Sequence, residues 1–540
     1  MLAALLSYAA YSFSSVTVPD RGGTFVEGVA GNPQYLNPLL ARLNRADADL
    51  CALLFDGLTR FDQQGNVVPD LAESWKVSQD GLTYDFKLQP GLYWHDDAPV
   101  TAADVLYTVS AMQDPDFPGD PSLRALWQAV DVSAPDGPNG LAVRFKLKMQ
   151  QPFAPFLDYT TMGLLPAHIW QRVPVKDMAE SQYNTRPIGT GPFEASRVTA
   201  TRIDLVPNPR YHGSTPYLTG LTVRFYPDQQ SLLPAYERGD IDGISYIPPE
   251  DMAWAAEQKD LQVFSAPMSG YTLVYLNQLN PNVPFFKDKT VRQALLYALD
   301  RQGIIDSQLD GQGQVANSPI LPGTWAYDPD VPKYGYDPAR ARQLLDQAGW
   351  KTSGDGVREQ NGKKLSFILV GQDQALIQAL AKAWGQIGVQ AVPQTVTSAG
   401  LSADFLVPRT FEAALVHWEQ PGDPDPYPLW HSTQIKDGQN YAGWSDAVAD
   451  DALEKARALT DQPSRRQYYV AFQQEFADQV PALLLYHPVY TIGVRNKVHD
   501  VQIGPFNTPA DRYRSIAQWY IVSRRITIGN GPANPTQPAP

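Results

Sequence analysis

Phe411-Glu-Ala-Ala-Leu-Val-His417-Trp418-Glu419-Gln-Pro421-Gly422-Asp423-Pro-Asp425-Pro-Tyr427-Pro-Leu-Trp430 is the stretch from which the architecture can be worked out. Its first seven residues form a short apolar run bounded by turn residues, which reads as a buried strand. The run then breaks at residues 421–426, where three prolines and a glycine forbid both helix and ladder. Upstream, residues 364–371 read as a strand, 374–385 as a helix and 389–396 as a strand. That βαβ unit implies parallel pairing with a right-handed crossover, and 411–417 reads as a further strand of the same sheet. A loop just past a strand end is where α/β sheets hold ligands. Two tryptophans, a tyrosine and two carboxylates crowd this one. Aromatic faces with a few fixed charges suit a small amphipathic solute such as a peptide. The competing expectation is a surface turn whose tryptophans pack on the core.

The chain has 540 residues, too many for one hydrophobic core, so two or more lobes are expected. Its 43% hydrophobic and 19% charged residues are ordinary for a soluble globular protein. Net charge is −14, from 43 basic and 57 acidic residues, which argues against nucleic acid, because phosphate binding needs a basic surface. Cys51 is the one cysteine, so neither an intrachain disulfide nor a cysteine-based metal cluster is available. Its apolar neighbours suggest a buried thiol in a helix. Residues 1–13 are apolar for about the length of a secretory h-region and too short for a span of ~20 residues. Residues 1–19 are expected to be a signal-like or anchor-like leader. The Gly/Pro/Asn-rich residues 527–540 are expected to be a disordered tail.

Along the chain, Gly23-Thr-Phe-Val-Glu-Gly28 reads as a strand and 46–59 as a helix. Residues 75–78 and 83–88 flank Gln79-Asp80-Gly81, a strong hairpin signal. Thr101 is a good N-cap, with Asp104 placed to return the hydrogen bond. Residues 271–277 read as a strand and 291–305 as one amphipathic helix. Asp337-Pro338 opens a helix and Gly349 closes it. Ser445 is expected to cap a helix to about 459, with another over 464–480. Residues 483–486 and 490–494 read as two strands at a second crossing between lobes.

These residues resemble a known family, the family 5 extracellular solute-binding proteins of peptide, dipeptide and nickel ABC importers. The resemblance runs from Gly23 to about Val522. Its most specific part is Leu71-Ala-Glu73-Ser-Trp75…Asp80-Gly81-Leu-Thr83-Tyr-Asp-Phe-Lys-Leu88…Gly91…Trp94-His95-Asp96-Asp97…Pro99-Val-Thr101-Ala-Ala-Asp104-Val105. Gly189-Thr-Gly-Pro-Phe193, Gly239-Asp-Ile-Asp242, Asp288…Val291-Arg-Gln-Ala-Leu295, Tyr336-Asp-Pro338…Ala348-Gly-Trp350 and Gly422-Asp-Pro-Asp425 are similar to further family motifs. The resemblance implies an α/β, two-lobe periplasmic-binding-protein-like (type II, class C) fold that traps its ligand between the lobes. It implies an extracytoplasmic monomer that hands a peptide-like solute to a membrane permease, with or without retention of the N-terminal segment as an anchor. No cofactor is expected, since ATP hydrolysis would belong to the partner ATPase. The expected boundaries are 20–268 for lobe I, with an inserted subdomain at about 45–185, 269–487 for lobe II, and 488–526 for the return to lobe I. Peptide-binding members commonly place an aspartate three residues after the tryptophan that matches Trp418, where it pairs with the peptide ammonium. Here that position is Pro421.

The expected ligand contacts are Trp418 and Tyr271 as stacking or apolar walls, with Tyr35 and Tyr486 reaching in. Asp423 or Glu419 is the expected anion for a ligand cation, and Asn440 a loop amide. An enzyme is not expected. The seven histidines make no His-Glu-x-x-His, and no Gly-x-Ser-x-Gly occurs. Gly311-Gln-Gly313 follows a helix rather than a strand, so it is no dinucleotide fingerprint. Asp96-Asp97 and Asp423/Asp425 are spaced as turn caps rather than as a glycosidase pair. The alternatives kept open are an oligosaccharide or metal-chelate receptor and, far behind, a hydrolase.

Overall fold

The computed structural model describes residues 15–149, 151–419 and 422–527. One 12-stranded mixed sheet runs through the molecule. The βαβ expectation holds at its lobe II edge, where Ser366–Gly371 and Gln390–Thr395 pair in parallel around the helix Gln374–Gly385. Ala413–Glu419 joins on the other side of Ser366–Gly371, also parallel. Gly270–Leu276 follows, antiparallel.

The next strand, Ala482–Arg495, is 14 residues long. Ala482 to Tyr486 pair with Gly270–Leu276, and Val489 to Arg495 pair with Leu261–Pro267. The two strands expected here are therefore one. Pro488 is tolerated because it lies where the neighbouring chain passes from one strand to the next. Its missing N–H is not required there, and its carbonyl accepts from Met268 N at 2.8 Å. Beyond this crossing the sheet continues through Gly243–Ile244, Thr24–Ala30, Gly220–Tyr226, Arg202–Pro207 and Phe193–Val198.

Two bodies form around this sheet. One buries Phe25, Leu54, Ile203 and Leu221 with Phe506 and Trp519 from the returning chain. The same core extends into a separate four-stranded sheet spanning residues 72–147. There the hairpin Ala72–Val77/Thr83–Leu88 forms as expected. Thr101 and Asp104 make a complete capping box at Ala102–Gln113, and Trp94 is buried. The other body buries two clusters drawn from residues 271–486. The returning chain is locked by Arg512, fully buried, which donates to both carboxylate oxygens of Glu27 (3.0 and 3.1 Å) and of Asp49 (2.7 and 2.8 Å).

Four expectations need correction. The helix over 291–305 is two, Lys289–Tyr297 and Arg301–Gln308, because Asp300 accepts from Gly303 N at 2.9 Å and starts a new helix. The helix Ala447–Ala458 is capped by Asp446, whose carboxylate accepts from the amides of Val448 and Ala449, and not by Ser445. Ser15–Asp20 is a strand paired with Val522–Thr527, so the last residues of the expected leader belong to the fold, as does the first residue of the expected tail. The rest of the leader, 1–14, and of the tail, 528–540, lie outside the described residues. No helix of the described residues is long and apolar enough to cross a membrane.

Candidate functional site

The register of two strands sets the aromatic part of the candidate site. Tyr271 lies directly opposite Trp418, and Tyr275 opposite Ala414, so these side chains share one face. Two crossing hydrogen bonds tie the rings. Trp418 Nε1 donates to the Tyr275 hydroxyl (2.8 Å), and Trp430 Nε1 donates to the Tyr271 hydroxyl (3.1 Å). Trp418 also stacks on Tyr441, with centroids 6.3 Å apart and planes 9° from parallel. Tyr271 and Tyr275 are buried, whereas Trp418 is half-buried. The lattice thus fixes the rotamer of Trp418 while leaving part of the ring uncovered.

The polar part follows the strand end. Asp423 is held by Arg465 from the helix Gln462–Gln479 through two parallel N–H···O bonds of 2.5 and 2.6 Å. Both side chains are under a tenth exposed. A bidentate guanidinium–carboxylate pair of this kind is strong, and breaking it leaves a buried charge. Asp425 is bound by Arg457 from Ala447–Ala458 at 2.7–2.8 Å. Across the lobe boundary, the Asp158 carboxylate of Phe156–Tyr159 accepts from the Asp423 backbone N–H. Gly422, at φ +88°, has no Cβ to collide with it.

Between the bodies lies a narrow recess with a cavity volume of about 20 Å³. Gly65, Pro505 and Asn507 line it from the first body. Pro319, Ile320, Leu321, Thr324 and Trp325, with Gly422 and Pro424, line it from the second, and Ser269 and Gly270 line it at the crossing. No Asp, Glu, Lys, Arg or His stands among these described lining residues. Gly270 is required where it is. Its φ is +141°, and a Cβ would come within 2.2 Å of the Trp418 carbonyl oxygen. Ser269 closes the crossing by donating to Asn507 Oδ1 at 3.1 Å.

The model of the bacterial extracellular solute-binding proteins, family 5, matches residues 66–441. The chain belongs to that family. The oligopeptide-binding protein AppA of Bacillus subtilis is 33% identical over 483 residues, covering 87% of each chain. The solved structure of AppA in complex with a nonapeptide is similar, with a TM-score of 0.66 at 31% identity, covering 94% of this chain and 100% of that one. NikZ from Campylobacter jejuni in complex with Ni(L-His) is similar at a TM-score of 0.69 and 26% identity, covering 92% and 99%. Family 5 membership carries the two-lobe fold, and the long sheet with two crossings is how this chain builds it.

Within this family 5 chain the seven expected contact residues separate. Trp418 and Tyr271 come together on one face. Tyr486 lies opposite Thr272 on the other face, buried in a different cluster. Tyr35 is half-buried against the first core, its backbone N–H donating to Asp47 Oδ2 at 3.0 Å. Glu419 is exposed at the strand end. Asp423 is not a free anion, since Arg465 occupies it. Asn440 is not a free loop amide either. It is fully buried, its Nδ2 donates to the carbonyls of Trp430, His431 and Trp444, and its Oδ1 accepts from Trp444 N. Gln420 and Pro421, the latter at the position where the resemblance leads one to expect an aspartate, lie outside the described residues. The sequence reading passed over residues 319–325 and Asp158. The signal for the former was present, because residues 316–337 run without helix or strand, and a connection that long inside a compact body is usually functional.

Proposed function

We propose that this chain is the extracytoplasmic binding receptor of an ABC importer, acting as a monomer, and that it captures an oligopeptide-like solute between its lobes for delivery to the permease. The observation that carries the solute class is the recess. It is walled from both lobes by glycine, proline, aliphatic side chains, Trp325, Thr324, Ser269 and Asn507. A wall of that kind reads an extended main chain through backbone groups and shape and takes little account of side-chain charge. Relatives named for oligopeptides and a neighbour solved with a nonapeptide support the same reading. Trp418, half-buried and fixed by Tyr275 and Tyr441, is proposed as an aromatic wall for the solute. Lobe I comprises 20–268 and 488–526, lobe II comprises 269–487, and the two rotate about 268–269 and 487–488. Closure traps the solute, and the permease reads the closed form. Binding and release require no bond-breaking step, so no catalytic residue is assigned.

A second reading, a carrier of metal chelates, is favoured only by the likeness to NikZ. Among the described residues no group of three or more His, Cys, Asp or Glu is placed to hold a metal ion, so a chelate would have to arrive complete. Thermal unfolding against pools of di-, tri- and longer peptides, with oligosaccharides and nickel–histidine as controls, tests the proposal. A ligand at 100 times its Kd adds about 2.7 kcal/mol, a shift of several degrees for lobes of this size. Peptides are expected to give that shift. A shift with sugars or chelates alone would discard the peptide reading and keep the receptor.

A further inference from the structure

The seam where the lobes meet carries an uneven charge. From lobe II come two carboxylates, Asp423 and Asp425, each matched by its own guanidinium, Arg465 and Arg457. From lobe I comes a third carboxylate, Asp158, whose side chain meets lobe II through the Asp423 backbone N–H. Around it, the rest of the seam is neutral or already paired. Arg457 lies 4.1 Å over Tyr427 and 5.6 Å from the Phe153 ring of lobe I, and its carbonyl accepts from Ala154 N at 3.4 Å. The Tyr469 hydroxyl bonds Arg465 (2.7 Å). On the lobe I side, Tyr159 and Tyr84 have hydroxyls held above their usual value by burial, and Arg42 faces Asp120 at 3.7 Å. Two cations therefore stand against three carboxylates, and Gly422 lets Asp158 approach closely.

We propose that Asp158 is a lobe-closing residue that works as a neutral carboxylic acid, so that proton uptake at this seam favours the closed receptor. The protonated acid still accepts the Asp423 N–H but adds no third negative charge beside Asp423 and Asp425. Separating the lobes removes the contact with Asp423, and a water-exposed aspartate ionises near the ordinary carboxylate value. With the lobes in contact as they are here, Asp158 is half-buried, and burial, then the neighbouring Asp423, pushes its carboxyl well above the ordinary value. The sign follows. A group whose pKa is higher in the closed form binds its proton more tightly there, so closure is favoured in acid. That advantage is lost as pH rises above ~4 and is exhausted once pH passes the raised value. A cleft that closes more readily in acid gives a receptor whose affinity rises as its surroundings acidify. The inference rests on the lobes moving relative to one another, but not on what solute they trap.

The test is small-angle scattering of the unliganded full chain at pH 5 and pH 8, for wild type, Asp158→Asn and Asp158→Ala, with far-UV circular dichroism to verify folding. Wild type is expected to have a smaller radius of gyration at pH 5. Asp158→Asn, which imitates the protonated acid, is expected to be compact at both values. Asp158→Ala, which loses the acceptor, is expected to be extended at both. A pH response in Asp158→Asn equal to that of wild type, or no response in wild type, overturns the proposal. Because no solute is present, failure of the peptide assignment leaves this result readable, and the reverse also holds.

Discussion

Replacing Arg465 by methionine decides whether Asp423 serves the fold or the ligand. The guanidinium makes two bonds to Asp423, one to the Ala456 carbonyl (3.0 Å) and one to the Tyr469 hydroxyl (2.7 Å), and its side chain is 4% exposed. Methionine fills similar volume but leaves the Asp423 carboxylate, 8% exposed, without a cation. Removing one partner of a buried pair costs about 3–5 kcal/mol. For a lobe of roughly 200 residues that lowers Tm by on the order of 10 °C. The assay is thermal and urea unfolding, with peptide affinity measured by calorimetry on the folded fraction. The double variant Asp423→Asn/Arg465→Met should recover more than half of the loss, because it removes the stranded charge. If Asp423 instead waits for a ligand ammonium, Arg465→Met frees it. Stability would then change by less than about 1 kcal/mol and affinity for peptides with a free N-terminus would rise. That pair of results would refute the structural assignment.

Three further outcomes follow from the same geometry. Asn440→Ala strands the Trp430 and Trp444 carbonyls and the Trp444 amide, the His431 carbonyl keeping its bond from Gln434 N, so it should destabilise by about 3 kcal/mol in urea unfolding while the folded protein keeps its peptide affinity; unchanged stability with lost affinity would return Asn440 to the ligand. Arg512→Met leaves Glu27 and Asp49 buried and unpaired and should cost about 3–5 kcal/mol, with proteolysis first releasing the returning C-terminal segment. Burial, then the charge of Asp70, pushes the Asp56 carboxyl up to about 7, so the contribution of this one group to stability is full in acid and is lost as pH rises from about 4 through 7. Asp56→Asn should flatten that slope and gain on the order of 2 kcal/mol at pH 8, read from denaturation at pH 5 and pH 8.

What the sequence disclosed depended on whether the cause was local. Helix starts made by a residue and its near neighbours were readable, as at Asp337-Pro338 and Thr101/Asp104. So was the βαβ unit, whose alternation of apolar runs and helical spacing spans only about 30 residues. The break at Asp300 was missed because apolar spacing continues across it, and the cap was placed at Ser445 because it and its neighbour Asp446 compete for the same role. The unity of Ala482–Arg495 was hidden by Pro488, which is harmless only because the partner chain changes there, a tertiary fact. At the site, the strands carrying Tyr271 and leading to Trp418 could be seen, but their pairing, which sets the two rings on one face, was not legible. The fate of Asp423 was set by Arg465, 42 residues downstream, and that of Asn440 by carbonyls of a loop with no periodic signal. A carboxylate in a turn looks the same in sequence whether it is waiting for a ligand or already taken.

The central claim is that two lobes close on a peptide-like solute, and it is tested most directly by small-angle scattering at one fixed pH, with and without a saturating peptide chosen by thermal shift. The account predicts a smaller radius of gyration and a shorter maximum dimension in the presence of peptide. A scattering profile that does not change while calorimetry shows the peptide bound would contradict it.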